Sequence, residues 1–260
     1  MILTVDIGNT TTALTGLRRF GNDYNVVFSE KFPSDGEHNE LLERVLGDIS
    51  EVDSVVLSSV VPKHTETVLR ALEKETGKIP EVISASSYCG VLDIAVPEPE
   101  KLGLDRIADS AWAAAYYSLP AVTVDMGTAT TFNVIGENRV FLGGMISTGL
   151  QTSLNALSEH TAQLPRLSLS SPEKLIGTST AECMLSGAVI GAAAMIDGIT
   201  ARVETELGKP VTLILTGGGA RFSEPFLLHS HIYEPHLLAK GLALSAEPVS
   251  VRNSRFFKRK

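Results

Sequence analysis

Cysteine is scarce in this chain: Cys89 and Cys183 are the only two in 260 residues, and they lie far apart. That excludes a disulfide framework and a thiolate metal centre, and it fits a reducing cytosol. Long apolar runs are missing as well. The longest, around Ala188 to Ile196, is far too short to cross a bilayer, so no membrane partner is expected. The opening MILTVDIG has no basic region and no cleavage site, so no secretory signal is read and a cytoplasmic protein is expected. Positive charge is in deficit, 22 − 30 = −8, which argues against a nucleic-acid surface. The exception is the terminal RNSRFFKRK, with Arg252, Arg255, Lys258, Arg259 and Lys260, which reads as a solvated tail. Several motifs are absent too. Gly77-Lys78 and Gly208-Lys209 lack the rest of a Walker A loop, no GxGxxG follows a strand, and neither HExxH nor GxSxG occurs. The six histidines show no metal-ligand spacing. What is present is ordinary for a globular protein: 43% hydrophobic and 20% charged residues, with length for one large or two small domains.

Periodicity gives a mixed α/β order. Strands are expected at 2–6, 11–17, 24–31 and 52–60, with a short one at Val82 and Ile83. Helices are expected at 39–46 and 65–75. A new series begins at Ala121: strands at 121–125, 131–135 and 140–143, then an irregular stretch. A long helix follows from Ser179 to about Leu207, then a buried strand VTLILTGGG, and a closing helix from His236 to Ala246.

The series repeats at the residue level. TVDIGNTTT, Thr4 to Thr12, aligns with TVDMGTATT, Thr123 to Thr131, with six of nine positions identical. Asp6 falls on Asp125, Gly8 on Gly127 and Thr11 on Thr130. The period is too long for a solenoid. It implies two copies of one α/β domain facing each other across a cleft, set at residues 1–118 and 119–260.

A strand leading into Asp-x-Gly-x-x-Thr-Thr has a definite chemistry. Glycine allows a tight turn and close approach of a ligand. Exposed N–H groups and threonine hydroxyls suit phosphate oxygens, and the aspartate can hold a cation directly or through water. One such turn alone would be a plain hairpin. Two, followed by TGGGARF at Thr216 to Phe222, favour nucleotide binding. GLDRIAD, Gly103 to Asp109, puts an apolar stripe of Leu104, Ile107, Ala108, Ala111 and Ala115 on a helix, with Asp105 and Arg106 in its first turn. An acid there suits the helix dipole, whereas a cation opposes it. Arg106 is therefore read as gripping a carboxylate or phosphate, with Asp105 as a general base beside it. Ser179 and Glu182 form a capping box, and Thr180 in that turn offers a hydroxyl. Gly187 and Gly191 mark close helix packing, within the chain or between chains. His160, after the GGMISTG loop, is a candidate substrate contact.

DIGNTTTA, GLDR, DMGTATTF, GGMISTGL, TAQLPRL, STAECMLSG and TGGGA stand in the order found in type III pantothenate kinases, so nearly the whole chain resembles that family. It is part of the acetate kinase, sugar kinase, heat-shock chaperone and actin superfamily. The resemblance implies α/β architecture with two duplicated actin-like (ribonuclease H-like) domains and a nucleotide cleft between them. It implies a homodimer that phosphorylates pantothenate with ATP, using Mg²⁺ and a monovalent cation, K⁺ or NH₄⁺. Asp6, Ile7, Gly8, Asn9, Thr10, Thr11, Thr12 and Ala13 then correspond to the first phosphate loop, with Asp6 near Mg²⁺ through phosphates or water. Gly103, Leu104, Asp105 and Arg106 correspond to the pantothenate loop, with Asp105 the proton acceptor and Arg106 on the carboxylate. Asp125 corresponds to the monovalent-cation ligand, Thr128 to an ATP contact, and Thr180 to a pantothenate contact reached across the dimer. TGGG would lie on the adenosine side. The chain departs from the family where Val96 replaces a common tyrosine, where Glu98-Pro99 replaces Asn-Pro, and where Thr148 replaces a proline. These changes touch the acceptor pocket or its rim. Two alternatives follow: a kinase of another small hydroxy-acid, or a non-catalytic ATP-binding regulator.

Overall fold

Alternating apolar residues and glycine-bearing turns build two α/β units in the computed structural model, which describes residues 1–34, 45–47 and 51–247. One unit takes the described residues of 1–93 and 97–115 and those from 237 onward. The other takes 94–96 and 116–236.

In the first unit, β1 (Ile2–Ile7), β2 (Thr11–Phe20) and β3 (Asp23–Pro33) form an antiparallel meander. β4 (Ser54–Ser59) and β5 (Glu81–Val82) add in parallel beside β1, giving the order β3-β2-β1-β4-β5. The crossover helix α1 (Pro62–Thr76) starts on a proline, which suits a first helical turn. Gly77, left-handed at φ 64°, ends it by donating to Glu73 O. Leu3, Val5 and Ile7 alternate onto one face of β1 and pack with Val55, Leu57, Val68 and Leu72. Thr4 and Asp6 therefore point to the opposite face. Helix α2 (Leu104–Tyr116) carries Asp105 in its first turn. The closing helix Leu237–Ser245 also belongs to this unit, where it packs on β1, β2 and β4. In that helix Gly241 lies so close to Ala108 O that a Cβ would fall well inside 3.0 Å, and Tyr88 Oη donates to Gly241 O (3.1 Å).

The second unit repeats this plan. β7 (Ala121–Met126), β8 (Ala129–Ile135) and β9 (Val140–Thr148) form a meander, and β10 (Thr212–Thr216) and β11 (His231–Tyr233) add in parallel beside β7. The short β6 (Asp93–Ile94) extends the far edge, so the order is β11-β10-β7-β8-β9-β6. Helices α3 (Leu150–Glu159), α4 (Thr180–Leu207) and α5 (Ala220–Ser223) complete it, and the Leu237–Ser245 helix of the first unit is α6. The core joins Val122, Val124, Phe132, Leu150, Val189, Ile196 and Leu215.

Several sequence expectations change. α3 occupies part of the stretch read as irregular, β9 continues to Thr148, and β11 is a strand that its three residues do not announce. By length and composition α4 is apolar enough to cross a membrane, although no single run in it looked so. Val189, Ala193 and Ile196 on it are fully buried within the protein. The helix expected over 39–46 lies mostly outside the described residues; Val45 and Leu46 are helical. The basic tail lies outside them as well.

Candidate functional site

In the first unit the hairpin after Asp6 closes on Gly8, whose N–H donates to Thr11 O (3.1 Å). Asn9, Thr10 and Thr11 are exposed, whereas Thr12 is fully buried. Ser34, which sequence reasoning missed, braces this turn from below. Its Oγ donates to Gly8 O (2.6 Å) and lies 3.1 Å from Thr12 Oγ1, and its N–H donates to Thr10 O (3.1 Å). No local pattern marks Ser34, because the partners it serves lie more than twenty residues away.

The second turn is tighter. Ile7 pairs with Thr12 across the first hairpin, but Met126 pairs with Thr130 across the second. Relative to the sequence repeat, the pairing has slipped by one residue. A one-residue slip sends side chains to the opposite face. Thr12 is thus the buried threonine of the first turn, and Thr130, the match of Thr11, is the buried one of the second. Identical letters at Thr11 and Thr130 have different surroundings.

Two glycine segments clamp the second turn. Gly149 N–H donates to Thr128 O (3.1 Å), and so does Thr152 Oγ1 (2.7 Å). Gly219 N–H donates to Met126 O (2.8 Å). A Cβ on Gly217, at φ 87°, would fall inside 3.0 Å of Asp125 Oδ1 and Met126 N. The structure thereby brings Asp125, Gly127, Thr128 and the TGGG segment together at one end of the sheet. Asp125 is half-buried and Thr128 exposed.

Asp105 and Arg106 are both partly buried. The Asp105 carboxylate folds over Gly103, where a Cβ would strike its Oδ1. Burial holds the Arg106 guanidinium below its ordinary range, against the opposing pull of Asp105. A guanidinium drawn out of water favours an anionic partner.

At α4, Ser179 Oγ accepts from Glu182 N–H (3.3 Å), as the capping box requires. The Glu182 carboxylate reaches back one residue further than expected, accepting from Thr178 N–H (2.7 Å) and Thr178 Oγ1 (2.9 Å). These bonds, with Lys174 at 3.2 Å, bring its pKa down to about 2. Thr180 lines a groove of about 430 Å³ with Thr148, Ser153, Met184, Gly187 and Gly191. A Cβ on Gly187 or Gly191 would meet nothing within 4 Å, so this small-residue face is uncovered in the single chain. His160 is the exposed residue that ends α3, and it is not among the residues that line this groove. Among the described residues, no three His, Cys, Asp or Glu side chains cluster as metal ligands.

Comparison with known proteins gives a consistent picture. Residues 2–202 match the family model described as type III pantothenate kinase. A type III pantothenate kinase of Hyphomonas neptunium is 34% identical, over 93% of this chain and 97% of that protein. One from Moorella thermoacetica is 33% identical over 95% and 99%, and one from Thermus thermophilus is 34% identical over 93% and 97%. Among solved structures, a protein described as a Baf family transcriptional activator from Campylobacter jejuni is 21% identical with a TM-score of 0.55. The match covers 94% of this chain and 96% of that one. At that identity the likeness speaks for the fold.

Proposed function

Because the chain belongs to the type III pantothenate kinase family, we propose that it transfers the γ-phosphoryl group of ATP to pantothenate. The product is 4′-phosphopantothenate, and the step opens coenzyme A synthesis. The observation that carries this reading is the pairing of Asp105 with a half-buried Arg106 in the first turn of α2. Arg106 orients the acceptor by its carboxylate. Asp105 takes the hydroxyl proton as the hydroxyl oxygen attacks the γ-phosphorus and ADP departs. Phosphoryl transfer needs positioning and charge stabilisation more than covalent chemistry.

The Gly8–Thr11 turn, with Asn9, Thr10 and Thr11 exposed, binds phosphate oxygens and is held by Ser34. Thr128 is a further ATP contact. The absence of an acidic cluster among the described residues suits Mg²⁺, which is commonly held by one or two carboxylates and substrate phosphates. Asp6 is the carboxylate that fits. When bound, Mg²⁺ neutralises charge developing on the phosphates. Asp125, held against Gly217, is assigned to K⁺ or NH₄⁺. The uncovered Gly187 and Gly191 face and the groove beside Thr180 support a homodimer in which Thr180 serves the acceptor. His160, outside that groove lining, is retained only as a rim contact. A cytoplasmic location follows from the same reading.

The test is coupled ATP turnover across a panel of hydroxy-acids, with and without K⁺. Pantothenate-dependent ADP formation is expected. Preference for another hydroxy-acid would trace to Val96, Glu98 and Thr148, and no turnover with any acceptor would favour a regulator.

A further inference from the structure

Two serines end β4, and the structure uses them differently. Ser59 Oγ accepts from Val61 N–H (3.1 Å) and from Thr65 Oγ1 (2.7 Å), tying the strand to α1. Ser58 Oγ is fully buried and has no hydrogen-bond partner. Buried hydroxyls are normally satisfied, so an orphan calls for an explanation.

Its position supplies one. β1 and β4 run parallel with Asp6 in register with Ser58, and residues in register on neighbouring strands share a face. Ala13 is the register partner of Asp6 on the other side and brings no side-chain donor. Ser58 thus places a side-chain donor on the strand beside the carboxylate assigned to the nucleotide's metal. Ser58 is sealed from water, while Asp6, two residues before Gly8, is half-buried. A carboxylate has two oxygens and about four acceptor sites. One oxygen can serve the nucleotide while the other accepts from within the protein.

We propose that Ser58 is a positioning residue for Asp6, its hydroxyl donating to the Asp6 carboxylate in the nucleotide-loaded state and fixing the carboxylate's orientation. This rests on the nucleotide-binding role assigned to Asp6, and not on the identity of the acceptor. In the nucleotide-free protein the hydroxyl has no bond to lose, so its removal should not weaken the fold.

The experiment measures ADP binding by calorimetry for the wild type, Ser58→Ala and Ser58→Cys, with Mg²⁺ and with chelator. Cysteine nearly keeps the volume but is a weak donor. Both variants should keep the melting temperature of the nucleotide-free protein. Both should bind MgADP about tenfold more weakly, with metal-free ADP binding unchanged and the KM for pantothenate unchanged. Wild-type MgADP affinity in Ser58→Ala overturns the proposal. So does an equal loss with and without Mg²⁺, which would place Ser58 in the packing of the turn. Wild-type affinity in Ser58→Cys alone would show that volume, not the hydrogen bond, matters, and overturns it too. If the wild type binds MgADP but phosphorylates no hydroxy-acid, the functional reading fails while the Ser58 comparison stands.

Discussion

Asp105 and Arg106 occupy adjacent positions in one helical turn and yet are expected to fail differently. Asp105→Asn keeps size and removes the proposed base, so turnover should fall ~10²–10⁴-fold with the fold intact. Steady-state kinetics at saturating substrates checks this, and retention of half the activity would reduce Asp105 to a dipole-matching acid. Arg106→Lys keeps the charge but loses the two-pronged donor geometry. The KM for pantothenate should rise while that for ATP stays put. Equal weakening toward both would move Arg106 to the phosphates. Burial is what makes Arg106 more than a surface charge, because it holds the guanidinium below its ordinary range. The sequence made Arg106 conspicuous, since a cation opposes the dipole where it stands. It gave no sign of Ser34, whose hydrogen-bond partners are distant in sequence, or of Ser58, which only strand pairing sets beside Asp6.

At the scale of elements, the two hairpins show how far a repeat can be read. Their strands, their aspartates and the glycine turn after β10 were all visible in the letters. The one-residue slip between Ile7–Thr12 and Met126–Thr130 was not, because identical residues accommodate either pairing. α3 was hidden for a related reason: only Leu150 and Leu154 of its ten residues are buried, which leaves a thin apolar stripe. The clamp on the second turn is open to test through Gly217→Ala. The residue sits at φ 87° with no room for a Cβ, so the change should cost about 1–3 kcal/mol. Thermal melts should show it, together with a loss of K⁺ response. The start of α4 yields a pH prediction. The Glu182 carboxylate has a pKa of about 2, below its ordinary 4.5. Its contribution is therefore present above pH 4.5 and lost as pH falls toward 2. The melting-temperature gap between wild type and Glu182→Gln should be widest near neutrality and close as acid is added.

For the whole molecule, assembly and ion dependence are the first questions. The α4 face at Gly187 and Gly191 is open, and alanine there meets nothing in the same chain. Gly187→Ala should stabilise the isolated helix by ~0.5–1 kcal/mol, yet weaken a dimer packed on that face. Mass in solution at several concentrations separates the two effects. Activity in Na⁺, K⁺ and NH₄⁺ buffers at constant ionic strength then tests Asp125. A monomer fully active in Na⁺ would refute both the dimer and the ion.

The placement of α6 has a consequence for biogenesis. The second unit is drawn almost wholly from the unbroken stretch 116–236, but the first also needs the helix at Leu237–Ser245, which packs on β1, β2 and β4. Domains generally form in the order in which the ribosome makes them. Here the order inverts: the half translated later has all its parts first, and the earlier half waits with one face of its sheet bare. A nascent chain stalled after residue 236 should resist protease across the second unit while the first is cut. Adding the remaining residues should then protect both.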